Sequence, residues 1–179
     1  NSFLQDGSFK VRGVTNSIDS PASQELARRG VEMVHGNTKD PDTLSKAFAG
    51  VDTVFLVVNF WDPEVMSREG EITRAIMDKA KKAGVKHVIY STLANAKEIS
   101  GGKYHVDHFS LKAEAFEYLK TLGFETVTAV EAAAYYSNWF RISKPVDEDG
   151  TLTWTVPGKG AAFSHFDASS GTGPAVLEV

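Results

Sequence analysis

The sequence has 179 residues, 42% of them apolar and 23% charged, with a formal net charge of −4. That length suits one domain with a real core, and the mild acidity argues against a dedicated nucleic-acid or anionic-membrane binder, which needs a basic patch. The absence of cysteine excludes disulfides, thiolate nucleophiles and cysteine-ligated metals, and with no secretory segment and no apolar run near ~20 residues the expectation is a cytosolic location, with a nuclear alternative, and no membrane.

Ser2-Phe3-Leu4-Gln5 reads as the last turn of a helix that exits at Asp6-Gly7. Phe9 to Val14 alternates like a strand. Ser20-Pro21 is an N-cap followed by proline at the first helical position, and that helix runs to Arg29 and stops at Gly30. Val31 to His35 is a short strand. Asp40-Pro41 repeats the start signal for a helix ending at Gly50. Thr53 to Val58 is continuously apolar and β-branched, which predicts a central strand covered on both faces.

Glu64 to Ala83 is predicted as a long amphipathic helix with Ile72, Ile76, Ala80 and Ala83 on one side, ended by Gly84; Lys79 to Lys82 is its solvated face. Lys86 to Ser91 is a strand, Val106 to Leu122 a helix closed by Gly123, and Thr126 to Val130 a strand. Beyond Val130 the texture changes. Asp149-Gly150 looks like a turn, and Leu152, Trp154 and Val156 alternate after it as an appended β element. Pro174 to Val179 reads as the opening of a helix, and both chain ends read as breaks inside a domain. The expected division is residues 1–134 as an incomplete dinucleotide-binding domain and 135–179 as the start of a smaller part that binds substrate or partner.

Strands and helices therefore alternate, which implies an α/β fold: a doubly wound parallel sheet joined by right-handed crossovers. In such a sheet the ligand lies beyond the carboxyl ends of the strands. Those ends are Thr15-Asn16, Gly36-Asn37, Asn59-Phe60-Trp61, Ser91-Thr92-Leu93 and Glu131-Ala132. The phosphate-cradling G-x-x-G-x-x-G turn between a strand and a helix is absent. Gly101-Gly102 and Gly158-Lys159-Gly160 read as ordinary loops.

Several segments carry a family resemblance, in order along nearly the whole chain. Asp6-Gly7-x-Phe9-Lys10-Val11-Arg12-x-Val14-Thr15 resembles the second strand of NmrA-like proteins, and Gly30-Val31-Glu32-x-Val34-x-Gly36 resembles their third. Asn59-Phe60-Trp61 resembles their Asn-aromatic-Trp turn, His108-Phe109-x-x-Lys112 their His-Phe-x-x-Lys helix, and Gly173-Pro174 their later Gly-Pro segment. The resemblance implies a Rossmann-like, NAD(P)-binding fold of the short-chain dehydrogenase/reductase type, here lacking the first strand and the glycine-rich turn. The family contains NADP-responsive regulators alongside reductases of quinones and phenolic ethers.

Taken with the strand-end rule, the resemblance assigns cofactor binding to Thr15, Asn16, Asn37, Val58, Asn59, Phe60, Ser91, Lys112, Ala134 and Tyr135. Asn16 stands where the family places an arginine for the 2′-phosphate of NADP, and a neutral amide does not replace a bidentate charged fork. The cofactor expectation is therefore NADP or NAD, with the NADP preference weakened. Tyr104, His108 and Lys112 are the catalytic candidates: they make an i, i+4, i+8 stripe if the helix reaches back to Tyr104. His105 and His108 are i, i+3, but no third ligand follows, so no metal is expected. Ser91 lacks the Gly-x-Ser-x-Gly context of a hydrolase. Tyr135-Tyr136-Ser137-Asn138-Trp139 is either a partner surface or an aromatic cover for the sheet.

The leading expectation is a redox-sensing regulatory protein that binds dinucleotide and acts through protein contacts. The alternatives are an NAD(P)H-dependent oxidoreductase of a quinone or phenolic molecule, and a truncated paralogue without dinucleotide binding. Homo-oligomerisation and a protein partner are expected; direct contact with nucleic acid is not.

Overall fold

A computed structural model of the chain describes residues 2–138, 148–151 and 164–179. The elements are α1 Ser2–Asp6, β1 Arg12–Thr15, α2 Pro21–Arg28, β2 Glu32–His35, a 3-10 turn Pro41–Leu44 running into α3 Ser45–Phe48, and β3 Thr53–Leu56. They continue with α4 Glu69–Lys82, β4 His87–Thr92, α5 Ala96–Ile99, α6 Asp107–Thr121, β5 Thr126–Glu131, β6 Ala134–Tyr135, β7 His165–Phe166 and α7 Ala168–Leu177.

Every strand pair is parallel. β1 pairs with β2, and β4 lies between β3 and β5. β6 and β7 form a separate short ribbon. Parallel strands joined through helices are the doubly wound arrangement, and its carboxyl strand ends fall on one edge. Among the described residues β1 and β3 each bond on one side only, so the sheet is present as two blocks.

The larger block holds the core. α4 presents Ile72, Ile76, Met77 and Ala80 to Leu56, Val58, Val88 and Tyr90 of the sheet and to Ala115 and Leu119 of α6, all buried. Burial of the Ile, Leu, Val and Met side chains among these stabilises by about 1.5–3 kcal/mol each. The β1–β2 block attaches differently. Arg12 donates to the carbonyls of Ala47 and Ala49 at 3.0 and 2.7 Å and pairs with Glu32 at 2.9 Å, and Gly36 sits against Leu44.

Local signals explain the boundaries. The Ser20 hydroxyl accepts from Ser23 N and caps α2 ahead of Pro21, and Gly30 follows at φ +95°. The Asp40-Pro41 signal starts a 3-10 turn before α3, because Asp40 accepts from Asp42 N. The turn at Asp149-Gly150 is present, with Gly150 at φ +84°. α5, which no expectation covered, starts at Asn95, whose side chain accepts from Glu98 N.

Several expectations need correction. α4 begins at Glu69, five residues later than predicted, since Asp62 accepts from Glu64 N and Val65, Met66 and Arg68 bond back as turns. Ala83 is its exposed C-cap and no part of the core face. β3 is not covered on both faces: Phe55 is 42% exposed and Val57 beyond it 55%. Its apolar composition suits a covered central strand, but no helix of the described residues lies over that side. β1 begins at Arg12 instead of Phe9, β4 starts and ends one residue later than predicted, and β5 extends one residue further. The terminal helix starts at Ala168, with Pro174 inside it. Leu152, Trp154, Val156, Trp139 and the Gly158-Lys159-Gly160 loop lie outside the described residues.

Candidate functional site

The carboxyl ends of β3, β4 and the start of α6 bring together the best-defined polar group in the molecule. Lys112 lies one turn inside α6 and is 8% exposed. Its ammonium donates to the carbonyl of Val58 at 3.0 Å and to the Glu69 carboxylate. An ammonium has three protons, and these two acceptors leave one of them uncommitted. Glu69 is the first residue of α4 and fully buried. Burial pushes its carboxyl above the ordinary range, and the Lys112 ammonium pulls against that. Tyr90 and Thr73 complete the cluster, and the Glu69 Oε2, Thr73 Oγ1 and Tyr90 Oη atoms are buried with no hydrogen-bond partner. Burial, with the Glu69 charge added, drives the Tyr90 phenol far up.

One turn before Lys112, His108 packs against Phe60, Trp61 and Phe109, with ring centroids at 5.5, 5.2 and 4.7 Å. Partial burial lowers its pKa, the Lys112 charge lowers it further, and Asp107 opposes both. His108 is therefore held towards the neutral imidazole. Phe60 is buried and Trp61 is 67% exposed, so the Asn59-Phe60-Trp61 turn offers one ring to the core and one to the cleft side. Asn59 is spent on local order, its side chain accepting from Trp61 N at 3.2 Å.

The structure does not bring Tyr104 into the predicted stripe. α6 begins at Asp107, and Tyr104 lies in the preceding loop, 57% exposed, with its backbone held by Ser100. At the outer strand ends, Thr15 accepts from Ser17 N at 3.1 Å, and Asn16 is exposed. Asn37 donates its backbone N–H to Thr43 and accepts from Lys39 N, so its side chain shapes the loop. Ser91 is half-buried inside β4, with Thr92 as the last strand residue. Ala134 and Tyr135 are exposed in β6, where Tyr135 packs on Phe166. Among the described residues no three metal-ligating side chains come together.

The residues fit a nicotinamide dinucleotide unevenly. The Val58 carbonyl, the Lys112 ammonium and the Phe60–Trp61 rings suit a ribose hydroxyl and a flat ring. Thr15 and Asn16 themselves carry no positive charge, and Arg12 is committed at the opposite end of β1. Two recessed surfaces flank α5: one is lined by Asn95, Lys97, Glu98 and Glu114, and the other reaches the carboxyl ends of β4 and β5 at Thr92, Leu93 and Glu131. Glu69 was missed in the sequence because Arg68-Glu69-Gly70-Glu71 is a charged run inside the predicted Glu64–Ala83 helix. The available signal was phase: Glu69 falls in register with Ile72, Thr73, Ile76 and Ala80 on one helical face.

The chain as a whole is similar to several known proteins. The oxidoreductase FrzB of Cladobotryum sp. is 33% identical over 170 residues, covering 87% of this chain and 51% of that protein. The oxidoreductase himF of Aspergillus japonicus is 32% identical over 168 residues, with the same coverage. The chain thus spans about half the length of the curated relatives it matches. A crystal structure of NmrA, a negative transcriptional regulator, superposes with TM-score 0.82 at 23% identity, over 99% of this chain and 57% of that one. Crystals of NmrA also hold NADP and NAD, with TM-scores of 0.82 and 0.81. The shared fold is the Rossmann-like one. No helix of the described residues is long and apolar enough to cross a membrane. With the NmrA-like family model matching residues 2–179, the chain belongs to the NmrA-like family.

Proposed function

We propose that this chain supplies the strand-end side of a nicotinamide dinucleotide site, residues 1–134, in a redox-sensing protein that acts through protein contacts made in part by residues 135–179. The observation that carries it is Lys112, whose ammonium is pinned on the Val58 carbonyl at the end of β3 with one proton left over. A lysine held on two sides is suited to grip a ribose hydroxyl. The helix places no tyrosine one turn before it, where classical short-chain dehydrogenases keep their proton donor. NmrA structures with NAD and with NADP support the ligand class, and Asn16 favours NAD over NADP.

A reductase reading is favoured by one feature, His108. It is held towards neutrality beside the Phe60–Trp61 rings, within one helical turn of Lys112, and the curated relatives are named oxidoreductases. When bound, the dinucleotide would supply hydride; Lys112 would hold its ribose, and His108 would exchange a proton with a substrate oxygen.

Titration calorimetry with NAD and NADP separates these readings. It is run on this chain and on a version preceded by a strand, a glycine-rich turn and a helix start. Binding by either version supports the dinucleotide site, and binding by neither refutes it. NAD(P)H oxidation with a quinone, lost in His108→Gln, would establish the reductase; binding without turnover favours the regulator.

A further inference from the structure

Glu69 presents a physical problem. A carboxylate with no exposed surface loses its hydration, and a well-packed apolar residue usually serves stability as well as a buried ion pair does. Two features offset the loss here. The Lys112 ammonium faces Glu69, and Glu69 opens the 14-residue α4 where the helix dipole favours negative charge. The second carboxylate oxygen faces inward with the Thr73 and Tyr90 hydroxyls, away from any solvent. The geometry therefore leaves Glu69 one external task, which is to hold Lys112.

A lysine side chain is a flexible stem with a freely rotating ammonium. At the cleft floor it would sample many positions. The Val58 carbonyl alone is a neutral acceptor and fixes one proton. A charged acceptor on the other side fixes the second, and the third then points in a defined direction. We infer that Glu69 is a positioning residue: it sets the Lys112 ammonium against the Val58 carbonyl and so aims the remaining proton at the ligand. The assignment deepens the dinucleotide reading and rests on it for the identity of the ligand, while the geometry of the ammonium is testable by itself.

The experiment follows the lysine ammonium resonances in 15N-labelled protein near pH 6, with Lys112→Met supplying the assignment. In the parent chain the Lys112 ammonium protons are expected to be visible and slow to exchange with water. In Glu69→Gln, a neutral isostere, that resonance is expected to broaden beyond detection. Glu69→Asp, which keeps the charge on a side chain one methylene shorter, is expected to retain the fold and accelerate exchange at least fivefold. In whichever version of the chain binds NAD, Glu69→Gln is expected to weaken binding at least tenfold and Glu69→Asp to recover part of the loss. A protected, unmoved Lys112 resonance in both variants overturns the assignment, as does an unchanged NAD affinity in both. Loss of the resonance in Glu69→Gln, in a protein that binds neither NAD nor NADP, supports the positioning role and refutes the dinucleotide reading instead.

Discussion

Lys112 and Glu69 stabilise each other only as a pair, and the sign of each truncation follows from that. Lys112→Met leaves a carboxylate buried without its partner, so it is expected to lower the unfolding free energy by about 3 kcal/mol. The double change Glu69→Gln with Lys112→Met removes both charges and is expected to recover most of that loss. Urea denaturation of the four proteins closes the cycle, and additive single effects would refute the coupling. His108 gives a pH signature of its own. Its folded pKa is depressed by burial and the Lys112 charge, so the unfolded chain takes up its proton first. Stability is expected to fall as pH drops below about 6.5 and through the lower folded value. His108→Asn should flatten that slope in urea melts run from pH 7 to 5. Glu69 works in the opposite direction: its pKa is raised in the fold, so the stability tied to its protonated form is present at low pH and lost as pH rises.

Among the elements, α4 and the strand ends carry the sharpest sequence constraints. Gly36 closes β2, and a Cβ built there would lie 2.7 Å from Leu44 and 2.8 Å from Val14. Gly36→Val is expected to cost about 2 kcal/mol through overpacking between β1 and the 3-10 turn, measurable as a lowered melting midpoint. The Ser20 cap was legible because a short polar residue before proline satisfies an orphan N–H wherever the helix sits. The start of α4 was not legible. Val65 packs into the core from the turn before the helix, which makes the apolar period look longer than the helix is. The His108–Lys112 spacing was legible and survives in α6, whereas Tyr104 depended on a helix start that α6 lacks.

The whole molecule is a well-packed block joined to a lightly attached one. The buried cluster is drawn from residues 44–119, with none from β1, α2 or β2. Native-state hydrogen exchange is therefore expected to show β4 amides opening only with global unfolding and β1–β2 amides opening at lower free energy. Equal protection across both blocks would contradict this. Among the described residues, the unbonded sides of β1 and β3 and the exposed Phe55 and Val57 also favour self-association. Sedimentation velocity should show concentration-dependent oligomers that Phe55→Lys reduces.

By itself the sequence determined the α/β alternation, the parallel crossovers, the caps and turns, the family, and the candidate lysine and histidine one turn apart. These are local or periodic properties, and each is written within a few residues. Helical phase puts Glu69 on the core face, but tertiary structure alone decided that its partner is Lys112, because the two residues lie 43 positions apart. It also decided that Thr73 and Tyr90 join them and that one side of β3 is left open. Long-range pairing depends on what packs across an interface, and no spacing along one segment encodes that.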